Sequence, residues 1–395
     1  MKKPVIKALL VWSIFASLGA NAAELSTRTT QKIIVAQQLA EKDKFSEAIA
    51  TLNKIDTSSE YDKAYLNRIL GIYYWENNQP NNAIKALKAS VDSAQLKDEQ
   101  AWSTENMLAG LLLNSHEYRQ ALSHYENLLK NPQDGKDIDQ IWLRVAQIHY
   151  QLEQWKQTLT SVAQYEKFKK PDAITPLSIK LGAQLQLKQF RSAIPTVKRI
   201  IPLDKKDRNW WLQLVNLQMQ TNQHRDALSS LELAKTSGVS LKRTDLLLLA
   251  QLYGQNGIPE RAARVLENIS GVKQDRKLVV QLASYWQNAK EWTQAKSTWQ
   301  IAAQMNKKYL WNVAQIELQQ RSYSDAYQTL QSLEGHYPKD KVALAKARVL
   351  YRLNKLGPAL RLAQEAHDLH PSRETKSWVK YLSQLQKYQE RMSNA

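Results

Sequence analysis

A bulky residue followed three positions later by a small one recurs every 31 to 38 residues along this chain. The pairs are Phe45/Ala48, Pro80/Ala83, Tyr118/Ala121, Trp155/Thr158, Phe190/Ala193, His224/Ala227, Pro259/Ala262, Trp292/Ala295, Tyr323/Ala326 and Leu356/Ala359. Self-similarity at such a period means stacked supersecondary units, each unable to bury its apolar face alone. No other feature restricts the fold as strongly.

Twelve residues before each small residue lies another position that is mostly small: Ala36, Gly71, Ala109, Ala146, Leu181, Val215, Ala250, Ala283, Ala314 and Ala347. Two antiparallel helices approach closely only where side chains are small, and a larger neighbour then fills the adjoining hole. Each unit therefore reads as a helical hairpin whose two helices meet at these paired positions. Glycine and proline are scarce, 11 of each in 395 residues, and no long alternating pattern suggests strands, so nearly all of the chain should be helix.

These units resemble tetratricopeptide (TPR) repeats, helix-turn-helix motifs of about 34 residues with aromatic, Leu-Gly, Tyr, Ala and Pro at set places. Leu70-Gly71-Ile72-Tyr73-Tyr74 followed by Ala83 is the best match, and Trp142, Trp211, Tyr253, Trp286, Pro202, Pro338 and Pro371 suit the template elsewhere. Thr158, Leu181 and Val215 depart from it. The resemblance implies an all-α TPR superhelical solenoid of about ten hairpins over residues 23–371, and no second domain. Residues 372–395, with Trp378, Val379, Leu382 and Leu385 at helical spacing, suit a helix that caps the last hairpin.

Residues 1–22 read as a secretory signal peptide. Lys2, Lys3 and Lys7 give a positive start, Ala8 to Leu18 is apolar, and Ala20-Asn21-Ala22 offers a small-residue cleavage site. Beyond it no window reaches about 18 consecutive apolar residues, so no transmembrane segment is expected after cleavage. The chain has no cysteine, which removes disulfides, thiolate chemistry and a lipidated N-terminal cysteine. These features point to the periplasm. Charge is uneven: residues 23–140 carry 13 basic and 17 acidic side chains, whereas 141–395 carry 39 and 20. In an exported protein a basic surface favours an acidic protein or an anionic envelope polymer over nucleic acid.

Catalytic constellations are missing from the sequence. It contains no zinc-protease motif, phosphate-binding loop, dinucleotide glycine motif or serine-hydrolase elbow. His367 and His370 share a helix face near Glu365 and Asp368, but two ligands at a helix end suit a solvated last turn better than a metal site. No enzyme activity, cofactor or metal is expected. Trp142, Trp155, Trp211, Trp286, Trp292 and Trp299 stand where the repeat places packing aromatics, whereas Trp75 and Trp311 do not and should project toward a groove.

In TPR proteins first helices line the binding groove, which here would present Gln147, Asn216, Gln220, Gln251, Gln281, Ser284, Asn288, Asn312, Gln315 and Gln319. Amides both donate and accept hydrogen bonds, so such a ladder suits an extended peptide backbone or sugar hydroxyls. Lys277, Lys308, Lys341, Arg348 and Arg352 would make its neighbourhood basic. Taken whole, the chain resembles the periplasmic TPR proteins that accompany TonB energy-transduction genes in vibrios and related gammaproteobacteria. That resemblance implies a non-enzymatic scaffold serving TonB-dependent iron uptake, with TonB, ExbB or ExbD proteins as partners. The alternative is a TPR module that binds polysaccharide or peptidoglycan during envelope assembly.

Overall fold

The computed structural model describes residues 25–393, so the signal-peptide reading lies outside the described residues. It divides into two compact units that meet in sequence between Leu203 and Asp204. The first holds five helical hairpins: α1–α2 (Thr27–Glu41, Phe45–Asn53), α3–α4 (Glu60–Glu76, Pro80–Asp92), α5–α6 (Asp98–Asn114, Tyr118–Lys130), α7–α8 (Ile138–Gln151, Trp155–Glu166) and α9–α10 (Ile174–Gln186, Phe190–Ile200). The second holds five more: α11–α12 (Arg208–Gln220, His224–Thr236), α13–α14 (Arg243–Gln255, Pro259–Glu267), α15–α16 (Arg276–Asn288, Trp292–Met305), α17–α18 (Leu310–Gln319, Tyr323–Gln331) and α19–α20 (Lys339–Arg352, Leu356–Leu369). A single helix, α21 (Arg373–Ser393), follows them. The fold is all-α and TPR-like, with no strand among the described residues.

The sequence repeat maps onto these hairpins residue by residue. Every bulky member of a pair is the first residue of a second helix. Its small partner is fully buried in all ten, and the contact residues of the first helices are buried as well. Thr158 fits this dry position because its hydroxyl donates to the Gln154 carbonyl at 3.0 Å. Leu181 and Val215, the two crowded contact residues, are also buried.

One turn geometry joins the two helices of every hairpin. The residue two before each second helix has φ between 55° and 74° (Asp43, Asn78, His116, Glu153, Lys188, Asn222, Gly257, Lys290, Arg321 and Asn354). The N–H of the next residue reaches back to a first-helix carbonyl five positions earlier, as in Gln79 to Tyr74 at 2.8 Å and Glu291 to Trp286 at 3.0 Å. This is a Schellman closure, which satisfies carbonyls that the helix end leaves without partners. Only Gly257 adopts the left-handed conformation without a steric cost.

Within each unit apolar clusters run continuously from one hairpin to the next. In the second unit Val279, Leu282, Trp286, Trp299, Val313 and Ile316 form one cluster across α15, α16 and α17. Helix α21 continues the packing, with Leu382 buried against Leu350, Ala359 and Ala363. Thirty-three residues after the contact residue Ala347, the spacing that separates Ala314 from Ala347, stands Lys380, which is exposed. The position at which the ten preceding first helices are buried is thus polar and solvent-facing on α21.

Candidate functional site

In the second unit, exposed polar residues stand beside the buried contact position on successive first helices. One residue after it come Asn216, Gln251, Ser284, Gln315 and Arg348; five residues after it come Gln220, Gln255, Asn288, Gln319 and Arg352. Each pair is four apart and shares a helix face. All of the second series are exposed, as are Asn216 and Gln251, while Ser284, Gln315 and Arg348 are half-buried. Arg208 on α11 binds Asp245 on α13, Tyr285 on α15 packs against Gly254 on α13, and α15 with α17, then α17 with α19, share apolar clusters through Leu282 and Val313 and through Ala314 and Val342. The residues therefore form two neighbouring polar columns across five helices. Gln255 belongs to them, although sequence reasoning passed over it.

Several expected contacts are already committed within the protein. Gln281 donates to the Tyr285 hydroxyl at 2.8 Å, and Ser284 to the Val280 carbonyl at 2.8 Å. Trp311 does not stand free in a groove; it stacks on Tyr337 with centroids 4.6 Å apart and planes 10° from parallel, as part of the cluster around Val342 and Val349. Arg348 is not a free cation, because it pairs with Glu374 of α21 and lies 5.4 Å above the Trp378 ring. Asn312 is half-buried. Lys341 and Arg352 remain exposed and form no ion pair among the described residues. In the first unit Trp75 is 37% exposed near the end of α3, and Gln147 on α7 accepts from Arg144 at 3.3 Å.

The buried charged groups hold helices together and show no reactive geometry. Asp62 accepts hydrogen bonds from the Ser26 amide at 3.2 Å and from the hydroxyls of Ser26, Thr29 and Thr57 at 2.6, 2.7 and 3.2 Å. Burial pushes its carboxyl pKa up, but these donors together hold it below the usual carboxylate range. Asp245 is held low in the same way, burial being outweighed by Arg208 and the Lys242 amide. Glu317 takes Thr329 at 2.7 Å and Lys296 at 2.8 Å.

A cavity of about 370 Å³ opens between α5, α6 and α7, lined by Trp102, Asn106, Tyr125, Gln140, Arg144 and neighbouring residues. Lys136 and Asp137 also line it, and the Lys136 ammonium is taken by Glu99 at 2.6 Å and lies 5.4 Å from the centre of the Trp102 ring. His367 bonds through Nδ1 to the Thr375 hydroxyl at 2.9 Å. Among the described residues no three His, Cys, Asp or Glu side chains gather around a common point. No described helix is long and apolar enough to cross a membrane.

No family model matches the sequence, and no curated protein matches it either. Several solved structures align with stretches of this chain. A tetratricopeptide repeat protein from Parabacteroides merdae is 11% identical over 82% of this chain and 99% of its own, with a TM-score of 0.35. The C-terminal part of a TPR repeat-containing protein from Cytophaga hutchinsonii is 14% identical, covering 70% of this chain and 97% of its own, with a TM-score of 0.38. MamA from Desulfovibrio magneticus RS-1 is 16% identical over 45% of this chain and 95% of its own, at a TM-score of 0.36.

Proposed function

We propose that this chain is a non-enzymatic scaffold that binds other proteins along the two polar columns of its second unit. The observation that carries the reading is the repetition of amides on successive helices: Asn216 and Gln220, Gln251 and Gln255, then Gln315 and Gln319, with Asn288 between them. A peptide in extended conformation carries a donor and an acceptor at every residue, and amides can meet both without demanding one sequence. The N-terminal pattern around Ala20-Asn21-Ala22 and the resemblance stated above support a periplasmic setting. In that setting the scaffold serves a TonB-dependent uptake system, with TonB-, ExbB- or ExbD-type proteins as partners.

Cross-linking in intact cells, followed by capture of the chain from the periplasmic fraction, tests both levels. The captured chain should have lost residues 1–22 by intact mass, and a protein partner should be recovered. Replacing Gln251, Gln255 and Asn288 together by Ala should reduce that recovery. Recovery of glycan alone, or of the same partner in undiminished yield, would overturn the columns as the binding surface. A partner unrelated to TonB systems would overturn only the finer assignment.

A further inference from the structure

The two polar columns change character at their C-terminal end. On α19 the amides give way to Arg348 and Arg352, and on α21 the equivalent positions, one and five residues after Lys380, are Tyr381 and Leu385. The same face of α21 then continues through Tyr388 and Met392, since residues at i, i+4, i+7 and i+11 share one side of a helix. Tyr381 is 43% exposed, Tyr388 62% and Met392 64%, which makes this the one helix face with three large exposed apolar side chains among the described residues. Arg352 stands at its edge. Its neighbour Tyr351 bonds hydroxyl to hydroxyl with Tyr381 at 2.7 Å. The Arg352 guanidinium lies 5.8 Å from the centre of the Tyr351 ring, which in turn meets the Tyr381 ring edge-on at 5.6 Å, so the cation lies close to the start of the apolar face.

From this gradation we infer that the columns bind an extended partner segment in one register, its acidic residue at Arg352 and a neighbouring apolar residue on the Tyr381–Leu385–Tyr388–Met392 face. The inference rests on the scaffold reading above and deepens it by stating the partner's chemistry. Packed helices lie about 8–10 Å apart and an extended chain advances roughly 3.3 Å per residue, so the two anchors fall about three residues apart. Arg348 contributes little attraction, because Glu374 already neutralises it. A second copy of the chain is the wrong occupant: Lys380, Lys387 and Arg391 stand exposed on the adjoining side of α21, and pairing two such helices would bring like charges together.

The test pans a random octapeptide display library against the immobilised full chain. Enriched peptides should carry Asp or Glu within about four residues of Phe, Leu, Ile, Met or Trp. Arg352→Glu should abolish the acidic preference and leave the apolar one, while Tyr388→Ser with Met392→Ser should do the reverse. Each should weaken a synthesised winning peptide by about tenfold, the effect of one good anchor. These side chains are mostly solvent-facing, so the variants should melt with the parent. Enrichment of neutral or basic peptides, or none, overturns the inference. So does sedimentation of the chain with phosphatidylglycerol vesicles, or self-association, if the Tyr388/Met392 variant abolishes it. Should cross-linked capture depend on Gln251, Gln255 and Asn288 but not on Tyr388 and Met392, the scaffold reading survives and this register falls.

Discussion

A β-carbon added to Gly71 would lie 2.5 Å from Cγ of Leu87, inside the contact between α3 and α4. Leu87 is fully buried, so it cannot retreat without opening a gap elsewhere. Gly71→Ala should therefore destabilise the protein by about 1–3 kcal/mol through overpacking, and Ala295→Leu should do likewise in the second unit. Gly110 makes the contrast. A β-carbon there meets only the Tyr125 hydroxyl at 3.7 Å, an ordinary contact. Gly110→Ala, inside α5, should stabilise by about 0.5–1 kcal/mol through helix propensity alone. Urea melts of the three variants give the signs, and a Gly71→Ala protein as stable as the parent would show that the contact between the two helices is looser than described.

The hairpin turns yield a second prediction of opposite sign. Lys290 and Arg321 hold φ at 62° and 63°, where a β-carbon is crowded by the following carbonyl. Replacing either by Gly should stabilise by roughly 1 kcal/mol, because the native conformation is already one that Gly adopts freely. Gly257→Ala should cost a similar amount. Melting temperatures that move the other way would mean that the Lys290 and Arg321 side chains contribute more than the strain removes.

These turns also show where the sequence is informative and where it is silent. The second helices were legible to the residue because close packing forces a small side chain at Ala48, Ala83 and their equivalents, and chemistry cannot substitute for size there. The turns themselves were not, since Glu153, Lys188, Lys290 and Arg321 are poor turn residues and are held in place by the flanking helices. The binding surface was half legible. Exposed amides follow from register alone, whereas the pairing of Arg348 with Glu374 and the stacking of Trp311 on Tyr337 join residues 26 apart in sequence. Nothing local marks them. Tyr381 and Tyr388 draw no notice beside Trp378, Val379, Leu382 and Leu385, because their face shows only once Lys380 is placed at the contact position.

Two buried carboxylates contribute to the response to acid, alongside the ion-paired Glu99, Glu166 and Asp172, whose pKa values are also lowered. Asp62 and Asp245 are both held below their ordinary pKa. A depressed folded-state pKa stabilises above the unfolded value of about 3.9 and loses that stabilisation as pH falls through the folded value. Stability should thus be flat near neutrality and drop below about pH 4. Asp62→Asn and Asp245→Asn should each be less stable than the parent at pH 7, and the difference should shrink as pH is lowered. Denaturation curves between pH 3 and 7 that stay parallel would show that the carboxylates are not the acid-labile groups.

The last prediction concerns how charge contributes to partner binding. The basic excess of residues 141–395 acts at long range, but exposed charges are screened beyond about 8 Å at physiological salt, so its effect should fall mainly on the association rate. Lys341 and Arg352 are the residues to reverse, because both are exposed and neither is paired among the described residues. Arg348 should be left alone: Arg348→Glu would set a like charge against Glu374 and confound binding with disruption of α21. In the Lys341→Glu, Arg352→Glu double variant, association with the partner recovered by cross-linking should be slower at low salt, and less sensitive to added salt, than in the parent. Dissociation should quicken as well, because Arg352 also anchors the partner's acidic residue, so the loss of salt sensitivity is the readout of the long-range effect. If both rates and their salt dependence match the parent, the basic end of the second unit is a solvated surface. The contact is then to be sought in the first unit, beginning with the exposed indole of Trp75.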